Sequence, residues 1–227
     1  MASRRRPGAP ADFEEIRPNL FLIHNPALSP VLRGEGEREG FQFRLTSWRR
    51  EGLLARLANR GFVTLTIADR IAALPSPPTV SPGALRVIHV GPKQQLSLLD
   101  LNVPGGWRGL CPSPTGTVTL PEKQIVRRRL GRGPAEYLRI TATGWQTVPA
   151  DEALLLAYGQ LIDPPPISLT SVGGGWLLPE LPLPSNYCRV LNHIVQSHPA
   201  GWLLTNVYAC DLAELLLHKL RLTVVRR

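Results

Sequence analysis

The sequence is poor in cysteine, methionine, lysine and aromatic rings, and each shortage excludes something. Its three cysteines, Cys111, Cys188 and Cys210, lie far apart with no C-x-x-C pair. A disulfide framework of the kind that staples small secreted domains is therefore not expected. A zinc set drawn from Cys188, His193, His198 and Cys210 offers only a His-x4-His spacing and none of the usual paired cysteines, so buried thiols and ordinary imidazoles are the simpler reading. The longest charge-free stretch that invites a membrane span, 190–210, is broken by Asn192, His193, Gln196, His198, Pro199 and Asn206. That composition does not make a spanning helix. No apolar segment follows the three arginines near the start, so a secretory signal is unsupported and a cytosolic or nuclear location is expected.

Enzyme motifs are lacking too. There is no G-x-S-x-G, H-E-x-x-H or Walker A loop, and Gly131-x-Gly133 lacks the third glycine of a dinucleotide site. His89, with Asp69 or Asp100 as a partner in space, is the nearest thing to a general base. It lies in an apolar strand pattern, where a packed histidine is the plainer interpretation. The expectation is a chain that is not an enzyme and needs no cofactor or metal.

What is abundant is arginine. Twenty-six basic against seventeen acidic residues give a net charge of +9, and arginine outnumbers lysine 23 to 3. The excess is local: 1–11 carries +3, 122–139 carries +4 and 218–227 carries +4, while the other 188 residues sum to −2. A near-neutral body with basic patches suits a domain that contacts a polyanion. A GC-rich gene or an overlapping reading frame would produce the same arginine bias, and cationic ends also serve solubility.

Length and composition suggest one domain with its own core: 227 residues, 43% hydrophobic, with 23 Pro and 20 Gly. Residues 1–11 read as a disordered basic tail and 12–227 as a single β-rich domain with a C-terminal helix. Strand patterns occupy 19–24, 41–48, 62–67, 84–90, 95–101, 117–120, 136–143, 167–171, 186–196 and 201–208. In the second, Phe41, Phe43 and Leu45 are expected on one face. A helix is predicted from a Ser47 cap to Asn59, with Leu53, Leu54, Leu57 and Ala58 as its apolar stripe and Gly61 as its stop. Another begins at Asp211, with Leu212, Leu215, Leu216 and Leu220 on one face. Residues 151–162 are ambiguous between helix and strand, and no repeat of 20 to 50 residues is evident. The expected fold is mainly β, a jelly-roll-like two-sheet sandwich with two or three flanking helices.

The sharpest local feature is VRRRLGRGP at 126–134. Arg127, Arg128, Arg129 and Arg132, set beside Gly131 and Gly133, are expected to form a flexible cationic segment that follows a phosphate backbone without reading bases. Arg4, Arg5 and Arg6 in the tail are the second candidate group. Tyr137, Trp107 and Trp145 are candidates for stacking on unpaired bases, the alternative being tryptophans that plug a core. The leucines at 154–156 and 212–220 read as core packing, or as a partner groove.

From 84 to 196 the order of features resembles the 30K superfamily of plant-virus movement proteins, of umbravirus and cucumovirus type. The resemblance rests on RVIHVG (86–91), LSLLD ending at Asp100, the Leu130–Gly131 pair, the strand leading to Pro149 and Asp151, and a glycine cluster before PSNYCRVLNHIV. Asp100 is the candidate for the family aspartate, with Glu122 as its rival. Asn102 stands where the family usually has a basic residue. The resemblance implies a jelly-roll-like core and cooperative, sequence-independent binding of single-stranded RNA. It further implies passage through plasmodesmata from the host cytoplasm; the arginine run also reads as a nuclear import signal. The partners it implies are single-stranded RNA, further copies of the chain, and host plasmodesmal or nuclear proteins, with no transmembrane span. Two other readings stay open: a long-distance movement protein that coats RNA, and a capsid-like or protein-interaction subunit with nucleic-acid-binding tails.

Overall fold

A computed structural model describes residues 11–45 and 49–227 of the chain. The basic tail up to residue 10, with Arg4, Arg5 and Arg6, and the Ser47 cap lie outside the described residues.

The first unit begins with a hairpin, β1 (Phe13–Arg17) and β2 (Leu20–Ile23), turning through Pro18 and Asn19. A 3-10 turn and the short α1 (Ser29–Leu32) lead to a second hairpin, β3 (Gly36–Glu39) and β4 (Gln42–Leu45). The polar run at 34–40 thus contains a strand, fully exposed at the sheet edge. α2 (Arg50–Asn59) follows, and β5 (Thr64–Leu65) returns parallel to β1. Phe43 and Leu45 are buried as expected, but Phe41 is 75% exposed because it occupies the two-residue turn between β3 and β4. Likewise Leu53 and Leu57 face the core while Ala58 is exposed. Phe13 and Phe21 stack at 4.3 Å in the centre of this cluster. Only Thr64 and Leu65 of the 62–67 pattern form a strand, since Thr66 and Asp69 build a capping box that starts α3 (Ile67–Ala72).

The central part holds β6 (Leu85–His89), β7 (Gln94–Leu99), β8 (Trp107–Gly109) and β9 (Thr117–Pro121). It continues with β10 (Ile125–Leu130), β11 (Ala135–Thr141), β12 (Gly144–Thr147) and α4 (Ala150–Gly159). A five-stranded antiparallel sheet has the order β12-β11-β10-β7-β8, and β6 with β9 makes a separate ribbon. Strand alternation divides the sheet's two faces. Leu96, Val126, Leu138 and Ile140 pack against Ile88, Val90, Val118 and Leu120 of the ribbon. Ile125, one residue from Val126, points the other way and packs under Ala153 and Ala157 of α4.

The last part comprises β13 (Ile167–Val172), β14 (Gly175–Leu178), α5 (Ser185–Ile194), β15 (Gln196–His198), β16 (Gly201–Leu204), α6 (Val207–Lys219) and β17 (Val224–Arg226). The segment 186–196, expected as a strand, is mostly helix. Tyr187, Val190, Leu191 and Ile194 all turn inward, and their spacing is that of a helix face. α6 starts earlier than expected, where Asn206 accepts a hydrogen bond from the Ala209 amide. Leu212, Leu216 and Leu220 are buried and Leu215 is exposed.

The first and last parts share one topology. Each is hairpin, helix, hairpin, helix and return strand, with sheet orders β3-β4-β2-β1-β5 and β15-β16-β14-β13-β17. The return strand is parallel to the first strand in both. The details recur as well. Phe13 N–H donates to Val63 O and Ile167 N–H to Thr223 O. Phe62 N–H reaches Leu57 O at 3.0 Å, and Leu222 N–H reaches Leu217 O at 3.1 Å. Gly61 and Arg221, with φ of 79° and 63°, supply the left-handed residue that ends each helix. This unit is longer than the repeats sought in the sequence, and few side chains recur in it.

α3 joins the two units: Ile67, Ile71 and Leu74 belong to the large core formed by α5 and α6. The fully buried Glu15 of β1 accepts two hydrogen bonds from Arg50, at 3.0 and 2.9 Å, and one each from the Ile67 and Asn19 amides. Arg50 in turn lies over the Tyr208 ring at 4.5 Å. Burial, and then the Glu15 charge, push the Tyr208 phenol well above its ordinary pKa. The molecule is mainly β, with seventeen strands and six α-helices among the described residues, more helices than the two or three expected.

Candidate nucleic-acid interface

The three basic segments differ in what they offer a ligand. The first lies outside the described residues. In the third, Arg226 pairs with Asp211 and Glu214, which hold its guanidinium protonated more firmly than usual. Arg221 in the same segment donates to Pro77 O and Thr79 Oγ1. The middle segment is left.

There the arginines are not a flexible loop. Arg127, Arg128 and Arg129 lie inside β10, paired on one side with β11 and on the other with β7. Alternation therefore splits them. Arg128 shares its face with the core: it donates to Glu136 from Nε (3.1 Å) and lies over the Trp145 ring at 5.2 Å. Trp145 packs on the ribbon-side cluster. Arg128 thus already has a carboxylate partner, and Trp145 is half-buried against the core.

Arg127 and Arg129 take the opposite face. Across the ladder Arg127 stands between Ser97 and Tyr137, and Arg129 between Gln95 and Ala135. Arg139 and Gln146, one pair further along, lie on the same side. The Arg127 guanidinium is 4.5 Å from the Trp107 ring centre, and its Nε donates to Ser97 Oγ at 3.2 Å. Trp107 and Tyr137 meet at 5.9 Å in a tilted arrangement. Burial, followed by the like charge of Arg129, draws the Arg127 pKa below its ordinary value. A cation held without a carboxylate beside another cation gains from an anion. Arg129 and Arg132 are exposed, and no ion pair involves either among the described residues. Arg132 sits in the β10–β11 turn with Gly131 at φ 56°.

The sequence pattern names Arg127, Arg129, Tyr137 and Trp107; the part it misses is Ser97 and Gln95, which only the ladder to β7 brings alongside. The other candidates are dispersed. Asp100 accepts from the Asn102 amide and side chain, which lower its pKa with help from Arg108. It stands at the end of β7 and is no part of the arginine face. Glu122, the rival for the family aspartate, binds Arg86; Asp69 belongs to the capping box of α3 and His89 is exposed on β6, so the acid–base candidates His89, Asp69 and Asp100 sit in separate elements. Among the described residues no three His, Cys, Asp or Glu side chains are grouped to hold a metal, and Cys188, His193, His198 and Cys210 do not converge. No helix there is long and apolar enough to cross a membrane.

No family model, curated protein or solved structure matches the chain.

Proposed function

We propose that this protein binds single-stranded RNA, without sequence preference, on the α4 side of the central sheet. One observation carries the reading: Arg127 and Arg129 share a face with Trp107 and Tyr137, while Arg128, between them in sequence, is neutralised on the other. Cations beside aromatic rings on a sheet suit a phosphate backbone with unstacked bases. The sequence carries no recognised base-reading motif, and contacts to a phosphate backbone position a strand without specifying it. The biological setting we propose is that of the resemblance: a movement protein that carries RNA between cells, with the two-layered strands β6 to β12 as its jelly-roll-like core. Fluorescence anisotropy with labelled oligonucleotides tests the binding. Single-stranded RNAs of unrelated sequence are expected to bind within a few-fold of each other and more tightly than duplex. Failure of all of them to bind at low salt overturns the proposal.

A further inference from the structure

The ribbon of β6 and β9 has only two strands, so each strand has one edge without a partner strand among the described residues. Bonds from Val90 N–H to Gly116 O and from Glu122 N–H to Ala84 O, both 2.8 Å, set the phase of its ladder. Residues 84, 86, 88 and 90 therefore turn their backbone groups toward β9, and Leu85, Val87 and His89 turn theirs away. No other strand takes up that edge among the described residues. The side chains at these positions are exposed too: Leu85 is 70% and Val87 64% accessible, and His89 is open.

Free edges are normally blunted by lysine, proline, a bulge or an inward charge. This one has no lysine, proline or bulge within 84–90, and its inward charge is already paired within the chain. Its five pairs with β9 run without a register shift, and Arg86, the one charge in 84–90, is bound to Glu122 of its own chain.

We infer that the chain dimerises by antiparallel pairing of β6 with β6 of a second copy, about a two-fold axis at Val87. The second copy fits because the edge is self-complementary. Pairing about Val87 sets it opposite the partner's Val87, and Leu85 opposite the partner's His89. The same outward set of backbone groups is used on both sides, as an isologous contact requires. No like charges oppose each other, the exposed apolar side chains merge into one stripe, and two ribbons become a four-stranded sheet. The edge belongs to the ribbon, not the arginine face, so this inference does not depend on RNA binding.

The test uses the full chain free of nucleic acid. Sedimentation equilibrium is expected to give twice the chain mass as concentration rises. Val87→Lys and Val87→Pro should give the monomer with an unchanged circular dichroism spectrum, since neither touches a bond to β9. In a Cys111→Ser background under a mild oxidant, Val87→Cys should cross-link and Leu85→Cys should not, because Leu85 does not face the partner's Leu85. Leu85→Cys combined with His89→Cys should cross-link. The cross-links keep the test open should the proline variant misfold. A monomer up to the solubility limit, as expected if the edge instead takes an unrelated peptide, overturns the inference. So does a dimer indifferent to Val87→Lys, or equal cross-linking at positions 85 and 87.

Discussion

Arg127 lies over the ring of Trp107 at 4.5 Å with its Nε on Ser97, so the guanidinium is oriented by neutral groups and its charge is left uncompensated. One residue on, Arg128 is satisfied by Glu136 on the opposite face. Four arginines that look equivalent in sequence therefore have unequal roles.

That inequality is measurable. Arg129→Ala should weaken single-stranded RNA binding and reduce the magnitude of its salt dependence by about 0.7 per lost phosphate contact. Arg128→Ala should leave RNA affinity nearly unchanged and lower the melting temperature instead, by exposing Trp145. Equal losses of affinity in both variants would show that β10 does not present its arginines by face.

Trp107→Ala should cost about 1–3 kcal/mol of RNA binding if a base stacks there. Trp202, on β16 of a different sheet, is the matched control, and Trp202→Ala should leave affinity unchanged. Titration of the two variants side by side separates stacking from loss of tryptophan in general.

Glu15→Ala should destabilise the protein by about 3–5 kcal/mol, because it leaves Arg50 buried without its carboxylate and frees the Ile67 and Asn19 amides. Urea denaturation followed by circular dichroism reads this directly. A change below about 1 kcal/mol would mean that solvent reaches Arg50 in the native state.

How far the sequence could be read is clearest from pairs of residues. Phe43 and Leu45 follow the two-residue strand period and are buried, yet Phe41 obeys the same period and is exposed, because the turn makes the strand start one residue later than hydrophobicity suggests. β10 was concealed by its arginines: three consecutive charges and two nearby glycines resemble a loop, and only pairing with β7 and β11 shows a strand. α5 was missed although Tyr187, Val190, Leu191 and Ile194 have helical spacing, since the flanking prolines and β-branched residues argue for strands. The capping box Thr66–Asp69 starts α3 inside the 62–67 strand pattern, where the β-branched alternation conceals it. The shared topology of the first and last parts is hidden in the sequence, because backbone pairing and left-handed helix stops recur at Gly61 and Arg221 with few residues in common.

The Phe41 finding gives a prediction of its own. Phe41→Asp should leave folding intact, while Phe43→Asp, with its side chain among Phe13 and Phe21, should bury an unpaired carboxylate and cost several kcal/mol, on the order of the whole stability of a domain. Soluble expression and thermal melting of the two variants decide it, and equal damage at both sites would contradict the turn at Gly40–Phe41.

The central claim, an RNA-binding face on the central sheet, is tested most directly by the salt dependence of single-stranded RNA affinity in the wild type and in an Arg127→Ala, Arg129→Ala, Arg139→Ala variant. A steep fall of affinity with salt is expected in the wild type, and a slope shallower by about 2 in the folded variant, at about 0.7 per phosphate contact. Parallel lines for the two proteins would contradict it and move the RNA contact away from this face.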